Sequence, residues 1–310
     1  MRPLLFAVLL LVLLGCGRER HHPDHVVRAM YHWRNTDFLY DKEQHFLRTH
    51  HVNVLFWKVL DIDWNEANEA HPVSIVRSPF IPNSWGYGGQ SGPWVDSLSF
   101  VPVVYITNRT MLQCDSAQLV VLADKLQRKL LQLCGTKWNE LQLDCDWSAR
   151  SKDRYFTLVR MMRDRLKCRI SATVRLHQFK DPKGTGVPPA DRGMLMLYNV
   201  EDVRRSGPRN SIFNADAAEP YFRGAGLYPL PLDVSLPGYA WLVHYRKGRF
   251  VGLQDPDLMD GDSTLFRRGA DGVYTVVKET ESWWGDALHI GDELELERAD
   301  STVVQRAVEM

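Results

Sequence analysis

Short runs of apolar residues recur along the chain, and between them apolar positions fall three and four residues apart. Val26 to Trp33 reads as a first strand, Val52 to Leu60 as a second, Phe100 to Thr107 as a third and Glu140 to Trp147 as a fourth. Arg169 to Leu176, Met194 to Val200 and Tyr239 to Tyr245 continue the series as strands five to seven. Segments 116–134 and 151–167 have the spacing of amphipathic helices. Nearly continuous apolar strands alternating with helices predict a parallel sheet covered on both faces. Seven such units fit an α/β fold of the TIM-type (β/α) barrel kind better than a doubly wound open sheet. No GxGxxG or GxxxxGK loop marks a nucleotide site.

The rhythm breaks at 246–297. Turn-like Arg246 to Arg249, Arg268 to Gly272 and Ile290 to Asp292 separate short strand-like runs such as Val273 to Val277 and Glu293 to Glu297. This predicts a small antiparallel β insertion after strand seven. Only thirteen residues follow Glu297, with Ser301 as the expected N-cap of a last helix. No eighth strand is recognisable, so the expectation is an incomplete barrel, either open at an edge or cut short at its C-terminal end.

The N-terminus has a different pattern. Leu4 to Leu14 is an apolar run of eleven after Met1-Arg2-Pro3. A bilayer span needs about 20 residues, whereas a secretory signal is satisfied by this length. Leu13-Leu14-Gly15-Cys16 resembles a bacterial lipobox. The expected organisation is a signal peptide over 1–15, a lipidated Cys16 with a polar tether to residue 25, and a barrel domain over 26–310. The protein would then sit in the bacterial cell envelope, outside the cytoplasm, held to a membrane by an N-terminal lipid.

Composition narrows the partners. The 310 residues hold 38 basic and 38 acidic side chains, so no net field favours nucleic acid. Cys114, Cys134, Cys145 and Cys168 show no CxxC or Cys/His metal spacing. Mostly free thiols are expected, and no metal or organic cofactor is implied. Ten Trp, eleven Tyr and twelve Phe supply rings for stacking flat ligands.

In such barrels chemistry gathers where strands end. Side chains alternate along strand four, so Gln142, Asp144 and Asp146 share one face and Leu143 and Cys145 the other. Buried acids are costly unless paired, hydrogen-bonded or functional. Strand two offers Asp61 and Asp63 beside Lys58, either a salt bridge closing the barrel or part of a site. Strand five places Thr173, Arg175 and His177 on the inward parity, with Arg175 a counter-ion or an anion binder and His177 a base or a structural group. Tyr198 ends strand six, Trp33 strand one and Asn108 strand three, and Trp241 lies on strand seven. Together they describe a mouth of rings, carboxylates and amides suited to sugars.

Leu143-Asp144-Cys145-Asp146-Trp147-Ser148 resembles the strand-four Asp-x-Asp-x-Glu signature of glycoside hydrolase family 18, and Met196-Leu197-Tyr198-Asn199 is similar to that family's strand-six Met-x-Tyr-Asp. The insertion after strand seven sits where many family 18 chitinases carry one. The chain from about 26 to 300 is more similar still to a group of barrel-fold bacterial lipoproteins of unknown function. Lys58 to Trp64, Val103 to Asn108 and Thr173 to Gln178 are in their style. The resemblance implies a polysaccharide or glycan partner, with Asp144, Asp146 and Tyr198 as catalytic candidates. Trp33, Asp61, Asn108, Arg175, His177 and Trp241 would contact the substrate. Two departures stand out. The position of the family's proton-donating Glu is Ser148, and the strand-six Asp is Asn199. Three readings follow: a glycosidase whose acid has moved, to Asp146 or to a distant Glu201 or Glu281; a glycan binder without hydrolysis; and a scaffold lipoprotein.

Overall fold

The structure is a computed structural model that describes residues 26–76, 97–205, 207, 209–270, 272–282 and 285–310. The expected signal peptide, Cys16 and the tether lie outside the described residues. The main sheet contains β1 (Ala29–His32), β2 (Val54–Trp64), β3 (Ala70–Ile75), β4 (Ser99–Ile106), β5 (Glu140–Asp144), β6 (Arg169–Arg175), β7 (Arg192–Met196) and β8 (Leu232–Ser235). Helices alternate with them: α1 (Asp41–Thr49), α2 (Asn108–Gln113), α3 (Ser116–Cys134), α4 (Lys152–Leu166), α5 (Leu176–Lys180), α6 (Pro182–Thr185) and α7 (Ala215–Phe222). Seven strands run parallel in the order β1-β2-β4-β5-β6-β7-β8, and β3 folds back antiparallel on the far end of β2. Among the described residues β8 has no ladder to β1. The fold is therefore an incomplete, seven-stranded, strongly curled barrel, as the strand pattern predicts.

Local chemistry accounts for the helices. At the start of α3, Asp115 accepts from the Gln118 N–H at 2.8 Å while the Gln118 side chain accepts from the Asp115 N–H at 2.9 Å, a reciprocal capping box. Leu119, Leu122, Leu126, Leu130 and Leu133 form its buried stripe. Gly135, at φ +61°, ends it. Helices α3 and α4 cover the outer face of the sheet, where Leu143, Cys145 and Trp147 join the larger core.

The inner face has its own smaller core. Phe56, Val101, Val103, Met194 and Met196 pack together, with Tyr31, Trp33 and Tyr198 against them. Side chains of β1, β2 and β4 thus meet those of β7 across the lumen, which only a curled sheet allows. Polar contacts complete the crossing. The Tyr31 hydroxyl donates to Gln142 on β5 at 2.6 Å. Arg192 on β7 donates to Glu140 on β5 at 2.7 Å and pairs with Asp233 on β8 at 2.8 Å.

Two sequence expectations change. Tyr239 to Tyr245 is not the seventh barrel strand; that strand is β8, which is only four residues long and follows Pro231. The 239–245 run forms β9 (Ala240–Arg246) of a separate antiparallel sheet with β10 (Arg249–Gln254), β11 (Phe266–Arg268), β12 (Tyr274–Val276) and β15 (Glu293–Arg298), in the order β10-β9-β15-β12-β11. A hairpin of β13 (Thr280–Glu281) and β14 (Ala287–Leu288) lies beside it in sequence. An apolar run does not reveal the direction of its neighbour, and β9 pairs antiparallel with β15, setting Trp241 opposite Glu297. The last helix, α8 (Ser301–Val308), is capped by Asp300, which accepts from the Val303 N–H at 2.9 Å; Ser301 is its first residue, not its cap. Cys114, Cys134 and Cys145 are buried and Cys168 half-buried, all as free thiols.

Glu140 is 1% exposed, and Arg192 is its close partner, with Arg169 farther off at 3.6 Å. Removing one partner of a buried ion pair leaves an uncompensated charge. Arg192→Ala is expected to lower unfolding stability by about 3 kcal/mol, measured by urea denaturation. Glu140→Gln combined with Arg192→Met should cost less than Arg192→Ala alone.

Candidate functional site

The site forms where β5, β6 and β7 end. Alternation on β5 turns Gln142 and Asp144 into the lumen, and Asp146 continues that face just beyond the strand. The register sets Tyr105 of β4 beside Asp144 and Arg175 of β6 beside Met196 of β7. Arg175 grips Asp146 with two donors: Nε meets Oδ1, and Nη2 meets Oδ2 at 3.2 Å. The backbone N–H of Arg175 donates to Gln178 at 2.7 Å, and the Gln178 amide donates to the Trp147 carbonyl at 2.9 Å. These bonds turn the chain from β6 directly into α5. His177 therefore lies on the helix and not on strand parity, yet it still faces the same cavity.

That cavity measures about 250 Å³ and is lined by Asp146, Arg175, His177, Tyr198, Asn199 and Tyr221, with Leu176 and Val200. Asp146 is its one acidic lining residue among the described residues. Burial lowers the His177 pKa below its ordinary value. Burial also raises the Tyr198 phenol, with the Asp144 charge adding to the effect. Asn199 has φ +54°, a left-handed conformation that Asn adopts more readily than most residues, and its side-chain oxygen accepts from the Tyr239 hydroxyl at 2.6 Å.

Asp144 lies one inward step below the cavity and is 5% exposed. Its Oδ1 accepts from the Thr173 hydroxyl at 2.6 Å. Burial pushes its pKa up to about 6, the charges of Asp146 and Asp61 add to the rise, and Arg175 and Thr173 oppose it. Asp61 pairs with Lys58 of the same strand at 2.7 Å, the salt-bridge alternative of the two open for strand two. Its other oxygen is buried without a hydrogen-bond partner among the described residues. Asp63 leaves this cluster altogether. The Arg109 guanidinium, with Thr107, holds its carboxyl down at about 2.

The remaining candidates divide. Trp33 stacks on Tyr31 at 5.2 Å and joins the inner core. Asn108 does not line the cavity. It opens α2 and accepts from the Ser151 hydroxyl at 2.6 Å, and Ser151 also accepts from the Ser148 N–H at 2.9 Å. Ser148 is thus tied into the β5–α4 loop. Trp241 stands on the antiparallel sheet, donating to Glu297 at 2.8 Å, and is linked to the site through a row of ring contacts. Trp241 contacts Tyr239 at 5.3 Å, and Tyr239 meets Tyr198 edge-on at 5.7 Å. Glu201 is held by Arg209 at 3.3 Å and Asn214 at 3.2 Å, and Glu281 is exposed on β13; neither lines the cavity.

Tyr105, Tyr221 and Tyr239 were not singled out from sequence. Tyr105 had a signal, since it shares the inward parity of strand three. Burial raises its pKa to about 12, with Asp146 and Asp144 contributing. Tyr221 had none, because α7 is too short and too weakly patterned to be read. Among the described residues no group of three or more His, Cys, Asp or Glu side chains is placed to hold a metal ion. A larger cavity of about 770 Å³ lies against β15 and α8, and none of the sequence-derived candidates lines it.

The Asp144 geometry yields a pH dependence with a definite sign. A carboxyl raised in the folded state favours folding when protonated. Its contribution is complete below about pH 4 and is lost as pH rises through about 6. Asp144→Asn keeps a neutral side chain and an acceptor for Thr173. At pH 7.5 it should raise stability by about 2 kcal/mol, and at pH 4 it should match the parent protein. Thermal or urea unfolding across that range checks both. No family model and no curated protein matches this chain.

Proposed function

We propose that this is a lipid-anchored envelope protein that binds a glycan at the barrel mouth without hydrolysing it. The observation that carries the reading is the acid content of the cavity. Glycosidic cleavage ordinarily uses two carboxyl groups flanking the bond, one of them a proton donor. The cavity lining offers one carboxylate, Asp146, and both its oxygens are engaged by Arg175. Ser148 supplies no acid in its place. The rest of the lining suits recognition: Tyr198 and Tyr221 provide ring faces, and Arg175, His177 and Asn199 provide polar groups for hydroxyls. A volume of about 250 Å³ is below the usual range of about 300–1,000 Å³ for ligand sites, which favours the end of a glycan chain over an internal stretch. The lipobox-like Leu13-Leu14-Gly15-Cys16 supports the anchor.

A second reading is favoured by one observation, the raised pKa of Asp144, which keeps a carboxylic acid protonated close to neutrality. Its burial below the cavity lining argues against direct protonation of a glycosidic oxygen.

The full chain in detergent, presented to a panel of polysaccharides and oligosaccharides, should retain at least one glycan and release no reducing ends. Arg175→Ala should weaken retention at least tenfold. Release of sugar that Asp146→Ala abolishes would replace the binder with a glycosidase. Failure to retain or cleave any glycan would leave the scaffold reading.

A further inference from the structure

Five ionisable side chains meet on the inner face beneath the mouth: Lys58, Asp61, Asp144, Asp146 and Arg175. Two carboxylates have cations of their own, Asp61 with Lys58 and Asp146 with Arg175. Asp144 has none within salt-bridge reach among the described residues. Its only hydrogen-bond donor there is the neutral Thr173 hydroxyl. With all five groups charged the cluster carries one surplus negative charge, and it is lodged on the most buried member.

The geometry points to Asp144 as a proton-operated control of the mouth cavity, with the ligand held when Asp144 carries a proton and released when it does not. The proposal rests on the glycan reading above only for the identity of the ligand. Asp146 lines the cavity and Asp144 is the next inward position below it, so a ligand in the cavity displaces water from above an already buried carboxyl. Removing that water disfavours the charged form further. By linkage, a ligand that favours the protonated form binds more tightly where that form is populated. Proton uptake also changes Arg175. In the ionised state its charge is drawn by both Asp144 and Asp146; with Asp144 neutral, Asp146 alone holds it, and the guanidinium is freer to meet a ligand oxygen.

The surroundings of Asp144 supply no competing switch of the same kind. Tyr31, Tyr105 and Tyr198 face it, and burial raises all three phenols, so they stay neutral; Tyr155, from α4 on the outer face of the sheet, is raised by burial as well. Cys145, on the opposite face of the strand, is likewise raised by burial. Asp61 and Asp146 are each ion-paired, with Lys58 and Arg175. His177 also lines the cavity, and burial lowers its pKa from the ordinary value. Burial places the Asp144 transition near pH 6.

The test separates the switch from the ligand. In the full chain labelled with ¹³C-tyrosine, the Tyr198 ring signal, assigned from the Tyr198→Phe spectrum, should shift with a midpoint near pH 6 although the phenol itself does not titrate there. The shift should vanish in Asp144→Asn and persist in His177→Gln. A retained glycan should bind about tenfold more weakly at pH 7.5 than at pH 5, and Asp144→Asn should abolish that difference. A Tyr198 shift that is absent, or that survives Asp144→Asn, overturns the proposal. Equal glycan affinity at both pH values also overturns it and leaves the glycan reading standing. A Tyr198 shift that depends on Asp144, with no glycan retained at any pH, upholds the switch and removes the glycan.

Discussion

The structure depends on how a curled sheet without backbone closure keeps polar side chains inside its lumen. Among the described residues, β1 is bonded to the sheet through β2 alone, and β8 through β7 alone. What joins the two ends is the inner face. Tyr31 reaches across to Gln142, and Arg192 spans from Glu140 to Asp233. Glu140, Gln142 and Asp144 are buried consecutive inward residues of one strand, so each must find its partner within the lumen or be destabilising. The small apolar cluster of Phe56, Val101, Val103, Met194 and Met196 supplies the hydrophobic part of the same closure. Its shape requires β1, β2 and β4 to approach β7.

Along β5 the chemistry grades from structure to site. At the start of the strand Glu140 is buried and paired with arginine. In the middle Gln142 is neutral and hydrogen-bonded by Tyr31. At the end Asp144 has no cation in salt-bridge reach among the described residues, and Asp146, 40% exposed at its side chain, is gripped by Arg175. The same side-chain alternation produces all four positions, and exposure rises only beyond the strand. A mouth in which the outermost acid is ion-paired and the next one down is not is poorly arranged to donate a proton into the cavity.

The antiparallel sheet braces this mouth. Tyr239, just before β9, packs edge-on against Tyr198 and bonds Asn199, so it holds the backbone after β7 where two lining residues sit. A second tie runs through Glu297, which is buried and accepts from Trp241 at 2.8 Å and from Ser211 at 2.6 Å. The accessory sheet thus fixes one wall of the cavity without contributing a lining residue of its own.

The sequence by itself determined the alternation of strand and helix, six of the seven parallel strands to within a few residues at their ends, and the inward parity of Gln142, Asp144, Asp146, Thr173 and Arg175. Periodicity is local, and a buried strand or an amphipathic helix writes it directly into neighbouring residues. Only the tertiary structure decided that β8 and not 239–245 completes the parallel series, because strand direction is a property of the partner. It alone decided that Arg175 chooses Asp146 over Asp144, that Asn108 serves a loop and that Tyr221 and Asn199 enter the cavity. Those outcomes depend on distances between segments far apart in the chain, and on which carboxylate water can still reach.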